Sequence, residues 1–332
     1  MRIFLAGDSV SGTGPANVTK YYIRNLPKGT LFQKRRSKAA RAAEILINTI
    51  RADVVVYSGY SKQNILGLKA AKKLKKPSAY IMHGCVEYEN EINLEPDEVM
   101  NRVERKTLEL TDLVIAVSKS FGEWLKEYYP EYADKIDYIT NGIDTDLMHN
   151  ARKRTDRRRH MILSIGGGMP RKKIIHICEA VQKLRGSYDP DLYLCVIGAK
   201  GADSDRIEAY DFVDYRGLVS FEEGMRLFDE AAVFVQNSCF ETFGLAPVEA
   251  LMCGCPILCS RRVGALELIK DIHDEDVIED YADPDEIASK IKIIMENSNA
   301  TRLTADLEWE SNSWKARSKA LTSKLSKLVL LK

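Results

Sequence analysis

Two glutamates eight positions apart, Glu241 and Glu249, stand in the string SCFETFGLAPVEALMCGCPI at 238–257. The strand-like AVFVQNS comes before it, and GLAPVEALMCG reads as a helix with Leu245, Val248, Leu251 and Met252 on one side. Gly254 is placed to end that helix, and Pro256 prevents its continuation. Glu241 thus falls in the loop after a strand, and Glu249 in the early turns of the helix. Phe243, Gly244 and Leu245 supply backbone N–H groups at the helix start, where an anion such as a diphosphate is favoured. Two carboxylates facing phosphates would repel them. Flanking the phosphates, they accept hydrogen bonds from sugar and ribose hydroxyls. By itself the spacing is ordinary, and a capping Glu241 with a solvated Glu249 would account for it.

Other chemistry-bearing residues are scattered. GGGMPRKK places Gly166, Gly167 and Gly168 after a strand and before a helix, but it is not G-x-G-x-x-G and no acid follows at the dinucleotide spacing. Arg171 and Lys172 open the helix, either as a basic start facing water or as partners for an anion. In GDSVSGTGPANVTKYYI, Gly12 and Gly14 would let backbone approach a ligand closely, with Asn17 and Lys20 further on. His83 ends the apolar run YIMH, where a lone histidine is usually structural. Cys239, Cys253, Cys255 and Cys259 cluster without a structural-zinc spacing, three of them in an apolar run, so no metal is expected there. Residues 28–41 and 69–76 are basic runs: Lys28, Lys34, Arg35, Arg36, Lys38 and Arg41, then Lys69, Lys72, Lys73, Lys75 and Lys76. Most such runs are solvated faces.

These residues need elements to position them. Near-continuous apolar runs such as DVVVYS, SAYIMH and DLVIAVS read as parallel strands buried on both faces. Strands are expected near 2–6, 30–33, 53–58, 78–82, 113–117 and 136–140, with helices near 16–26, 37–51, 61–75, 95–111 and 119–129. A second βα series starts at MILSIGG and runs through LYLCVIG, DFVDYRG, AAVFVQNS and PILCS. Two such series predict an α/β chain of two doubly wound parallel-sheet, Rossmann-like domains facing a cleft. The expected boundaries are 1–146 for the first domain, 147–160 for a polar linker (NARKRTDRRRH) and 161–310 for the second. A C-terminal helix at 311–332 is placed to pack back on the first. At 332 residues each half can bury its own core. Lys plus Arg number 49 against 48 acids, a balance that gives no partner away. IFLAG is too short for a signal core and no run approaches the ~18 apolar residues of a spanning helix. Seven cysteines without an export signal fit reduced thiols. A cytoplasmic location is expected.

The 238–257 string, its approach VDYRGLVSFEEGMRLFDEAAVFVQNS and its sequel SRRVGALELI resemble the donor-site signature of retaining glycosyltransferases of the GT-B fold, family 4. TDLVIAVSKS and YITNGIDTDLM are similar to the family's first-domain ending, and ILSIGGGMPRKKIIHICEAV to its second-domain opening. The likeness is specific over about 111–270 and returns at NSWKARSKAL. It implies that Glu249 binds ribose hydroxyls, Glu241 the transferred sugar, the Phe243–Leu245 backbone the phosphate and sugar, and Val219 the base. Lys172 matches a lysine that grips the diphosphate. The family's companion arginine is missing, with Gly166 or Gly167 in its place, and Arg171 is the substitute to test. His83 would stand beside the transferred sugar, and the Gly12–Gly14 loop near phosphate and acceptor.

The resemblance thus implies sugar transfer from a nucleoside diphosphate sugar to an acceptor hydroxyl, with retention, in cell-surface polysaccharide or glycolipid assembly. Acceptors would be saccharides or lipid-linked saccharides. The basic runs at 28–41 and 69–76 would then meet anionic lipid at the inner face of the membrane, each residue contributing about 1 kcal/mol. No cofactor, metal or nucleic-acid partner is expected: DPD at 189–191 and 283–285 lies far in sequence from the donor string. Two alternatives remain open, a catalytically weak sugar-nucleotide-binding partner subunit and an epimerase or phosphorylase of the same fold.

Overall fold

The computed structural model describes residues 1–35, 37–145 and 157–331. Most of the expected linker, with Arg36 and His149, lies outside these residues. The linker's last three positions, 158–160, already belong to a strand.

Two compact units form, one from residues 1–88, 96–143 and 310–332, the other from 89–95 and 144–309. The first unit holds strands β1 (Ile3–Gly7), β2 (Leu31–Phe32), β3 (Val54–Ser58), β4 (Ser78–Met82), β5 (Leu113–Ala116) and β6 (Ile136–Tyr138). They make one parallel sheet in the order β2-β1-β3-β4-β5-β6. The helices of this part of the chain are α1 (Gly14–Asn25), α2 (Lys38–Arg51), α3 (Lys62–Lys73), α4 (Val86–Ile92), α5 (Glu98–Leu110) and α6 (Lys119–Tyr128). Every residue of β3 and β4 is buried, as a strand covered by helices on both faces requires.

The second unit repeats the plan with β7 (Arg158–Ile165), β8 (Tyr193–Ile197), β9 (Val213–Gly217), β10 (Ala231–Gln236), β11 (Ile257–Ser260) and β12 (Val277–Ile278), in the order β12-β11-β10-β7-β8-β9 and again all parallel. Its helices are α7 (Ile174–Ser187), α8 (Ser204–Glu208), α9 (Phe221–Glu230), α10 (Ala246–Met252), α11 (Pro284–Glu296) and α12 (Ala300–Asp306). Ile177, Val181 and Leu184 of α7 and Ile287 and Ile291 of α11 pack in one core with Ile162, Leu194, Val196 and Val233 of the sheet. Helix starts are set by serines just past the strand ends: Ser61, Ser118 and Ser220 accept from the backbone N–H groups of Asn64, Phe121 and Glu223. Each such cap is worth about 1 kcal/mol.

A last helix, α13 (Trp314–Leu330), belongs to the first unit and packs against α1. Trp314 anchors it: the indole stacks on Tyr21 at 4.9 Å and meets Tyr22 edge-on at 5.4 Å. Gly142 passes so close that a Cβ there would lie 2.7 Å from the indole.

Candidate active site

The loop after β10 carries Glu241, and several bonds fix its path. Cys239 N donates to Arg171 O at 2.9 Å, Gly264 N to Glu241 O at 3.2 Å, and Ala265 N to Phe243 O at 2.7 Å. The 238–245 loop is thereby stitched to the segment after β7 on one side and to the 263–265 turn on the other. Lys172, 69 residues earlier, donates from Nζ to Glu241 Oε2. The same oxygen accepts from Gln236 Nε2 at 2.8 Å and lies 3.5 Å from Arg171 Nη1. Burial would raise the Glu241 carboxyl, but the charges of Lys172 and Arg171 outweigh it and hold it below its ordinary value. Burial wins for Lys172, whose ammonium is pushed down despite Glu241.

Arg171 is enclosed in this unit. Its Nη1 donates to Phe240 O at 3.2 Å, its Nε lies 3.6 Å from Glu89 Oε2, and its own N–H donates to Asn93 Oδ1 at 3.3 Å. Glu89 and Asn93 come from the short stretch 89–95 that joins the second unit. No motif in the sequence marks either residue, and sequence reasoning missed both.

The glycines after β7 explain the missing arginine physically. Gly166 and Gly167 both donate to Ile197 O, at 2.8 and 3.1 Å, and Gly168 donates to Ala199 O at 3.1 Å. Gly167 has φ +57°, and a Cβ there would lie 2.1 Å from Ala199 O. At Gly166, φ is +142° and a Cβ would lie 2.4 Å from Lys172 Cγ. A side chain at Gly167 would break the seam between the β7 and β8 loops, and one at Gly166 would collide with Lys172. Arg171 and Lys172 are the cations turned to Glu241 at this end of β7.

Glu249 lies in α10, partly exposed, with its carboxyl pushed up to about 7, first by burial and second by the charge of Asp144. Phe243 is buried, while Gly244 (φ +82°) and Leu245 lead into α10. Val219 is half-buried in the turn between β9 and α9. Lys172, Arg171, Glu241 and Gln236 therefore form one cluster at the carboxyl ends of β7 and β10, the edge where open α/β sheets bind ligands. Glu249 follows in the helix after the loop.

His83, Gly12 and Gly14 belong to the first unit. His83 follows β4, its Nε2 2.8 Å from Ser58 Oγ, and burial pushes the ring down to about 4. Gly12 needs its glycine for φ +75°, but space around both Gly12 and Gly14 is open. Cys253, Cys255 and Cys259 are buried core residues whose thiols burial pushes up. Among the described residues one histidine-carboxylate group stands close, His160 with Asp189 and Asp191, with His160 Nδ1 2.7 Å from Asp189 Oδ2. It sits before β8 and at the start of β7, the opposite end of the sheet from Glu241.

Two family profiles divide the chain between them. The one described as Glycosyltransferase Family 4 matches residues 3–147, and the one described as Glycosyl transferases group 1 matches residues 148–307. The chain belongs to this glycosyltransferase family. Spore coat protein SA of Bacillus subtilis is 23% identical over 56% of this chain and 56% of its own length. The MMP alpha-(1->4)-mannosyltransferase of Mycolicibacterium hassiacum is 24% identical over 76% of this chain and 58% of its own. The chain spans about half the length of the curated relatives it matches. In fold it is similar to Alr3699/HepE of Anabaena, solved with UDP and glucose, at a TM-score of 0.71 and 15% identity over 98% of this chain and all of that one. Sucrose-phosphate synthase of Thermosynechococcus elongatus matches over the full length of both chains at a TM-score of 0.70 and 18% identity. The fold is that of the GT-B glycosyltransferases, two parallel six-stranded sheets each flanked by helices.

Proposed function

We propose that this chain transfers a sugar from a nucleoside diphosphate sugar to an acceptor hydroxyl with retention, in cell-surface polysaccharide or glycolipid assembly. The observation that carries the reading is the convergence of Lys172, Arg171 and Glu241 at the carboxyl ends of β7 and β10. Phosphate oxygens would take Lys172 and Arg171 as partners, and Glu241, relieved of them, would accept from hydroxyls of the transferred sugar. As the sugar–phosphate bond breaks, charge grows on the departing diphosphate, and cations already in place stabilise it without solvent rearrangement. Glu249 would hold the ribose, the Val219 backbone the base, and His83 the sugar. Retention follows if the acceptor approaches on the face the diphosphate leaves, where a phosphate oxygen takes its proton. Two fixed cations supply the charge a divalent ion would otherwise bring, so the reading needs no metal. UDP and UDP-glucose are bound in a relative of this fold, which supports a nucleoside diphosphate donor.

Membrane contact is part of the proposal and has a local surface to support it. On α2 and α3, which pack together, Ile47, Ile50 and Leu66 are exposed, as are Lys69, Lys72 and Lys73, and Leu74 and Lys75 are exposed just past the end of α3. Lys76 and Arg41 contribute less, since Lys76 donates to Ile50 O and Ala52 O, and Arg41 to Ser61 and Asn64. Among the described residues no helix is long and apolar enough to cross a membrane.

Acceptor-dependent release of nucleoside diphosphate by the purified chain is the test, with donors first chosen by thermal shift. One observation favours a second reading, a sugar-nucleotide-binding partner subunit: no side chain fits at Gly166 or Gly167. Donor binding without turnover, restored only by another protein, would decide for that reading.

A further inference from the structure

Three adjacent strands of the first unit end at one hydrogen-bonded chain. Thr19 of α1, Ser58 at the end of β3 and His83 after β4 are linked: Thr19 Oγ1 to Ser58 Oγ at 2.7 Å, and Ser58 Oγ to His83 Nε2 at 2.8 Å. Thr19 and Ser58 are both buried. Gly7, at the end of β1, makes the approach possible, since a Cβ there would lie 2.8 Å from Ser58 Cβ and 3.2 Å from Thr19 Cγ2.

The far end of the chain fixes the direction of its protons. Thr19 Oγ1 lies 3.0 Å from Pro15 O, one helical turn back, and a carbonyl oxygen can only accept. Were the single hydroxyl proton of Thr19 spent on Ser58, two acceptors would face each other in a buried place. Thr19 therefore donates to Pro15 O and accepts from Ser58. Ser58, its proton spent on Thr19, accepts from His83, and the proton between Ser58 and His83 belongs to Nε2.

We infer that Thr19 and Ser58 are positioning residues that hold His83 in its Nε2-protonated, neutral tautomer. The inference rests on the proposed transferase reading for its functional consequence. With Nε2–H committed to Ser58, the ring has no second N–H to give and its lone pair is at Nδ1. A ring in this form can act on a substrate hydroxyl only as an acceptor, through an Nδ1 that is buried in this structure, and neither protonates a leaving group nor brings positive charge to the diphosphate. The low ring pKa, about 4, agrees with a neutral imidazole.

Long-range proton–nitrogen NMR of the chain labelled at histidine nitrogen reads the tautomer directly, with His83 assigned by loss of its signals in His83→Gln. Wild type is expected to show a protonated Nε2 and a bare Nδ1. Thr19→Val removes the acceptor for the Ser58 hydroxyl, which then donates to Nε2 and moves the ring proton to Nδ1. Thr19→Ser keeps the hydroxyl and is expected to keep the wild-type tautomer. In turnover, Thr19→Val should lose about tenfold in kcat/KM, the weight of one neutral hydrogen bond, and Thr19→Ser should recover it. Because Thr19 acts through the ring, Thr19→Val combined with His83→Gln should be no slower than His83→Gln alone. If Thr19→Val fails to fold, Ser58→Ala takes its place, with the single Nε2–H form expected to give way to a mixture. A wild-type ring protonated at Nδ1, or an unchanged tautomer in the variant, overturns the inference. The spectra need no substrate, so a chain that transfers no sugar would refute the proposed function while leaving this proton order to be judged by itself.

Discussion

At the residue scale, charge and proton position decide what each group does. Glu249 has the larger consequence, because its carboxyl titrates near neutrality when no donor is bound. Raised above the ordinary 4.5 to about 7, it keeps a proton in the folded chain that the unfolded chain has released. Its contribution to stability therefore falls as pH rises from 4.5 to about 7 and is flat above. Ribose hydroxyls donate to the ionised form, so donor affinity should rise through the same region, roughly tenfold between about pH 6 and about pH 8. Calorimetric titration of donor across that range checks this, and Glu249→Gln should flatten the profile and weaken binding. For Lys172→Ala the expected loss is about 3 kcal/mol of transition-state stabilisation, near a hundredfold in kcat. Wild-type turnover in that variant would remove Lys172 from the chemistry. The types and spacing of Glu241, Glu249 and Lys172 were legible in the chain. That one carboxylate oxygen would take Lys172, Arg171 and Gln236 together was not, because those partners meet through space.

At the element scale, the βα alternation was readable because buried parallel strands are continuous apolar runs, as in β3 and β4. Boundaries came out shorter at strand ends: 30–33 contracts to Leu31–Phe32 and 136–140 to Ile136–Tyr138. Helix α4 was not read, since it is short and VEYENEI has no apolar stripe to betray it; none of its residues is buried. The loop after β7 is the instructive case. In sequence, GGGMPRKK is a family pattern with an arginine lost. In the fold the same glycines are what the seam between two loops demands. Gly167→Ala forces a β-carbon against Ala199 O at a positive φ. It should cost about 3 kcal/mol in urea unfolding, whereas Gly186→Ala, in open space within α7, should be neutral or stabilising. Equal stability of the two variants would contradict the account of the missing arginine.

At the scale of the whole molecule, the chain leaves the first unit at residue 89 and again at 144, and returns to it for α13. The first unit is thus completed by the last residues of the chain, and Trp314 is one of the contacts that hold them, with the buried Leu321 and Leu325 and the Lys324–Asp137 ion pair. Trp314→Ala should cost about 3–5 kcal/mol by removing a buried indole stacked on Tyr21. Near-UV circular dichroism during thermal unfolding checks it, and an unchanged melting temperature would show that α13 is held by other means. Two units of similar plan were visible from the repeated βα series. The exchange of 89–95 into the second unit was not, because it depends on which residues meet Arg171 and Asn93 carries no sequence signal. Sugar transfer with retention and without metal can be read by proton NMR of a reaction run in EDTA with a donor of known anomeric configuration. Such transfer removes the nucleotide-linked anomeric signal only when an acceptor is present, and leaves the product with the same configuration. An inverted product, or transfer that begins only when manganese is restored, would contradict the proposed function.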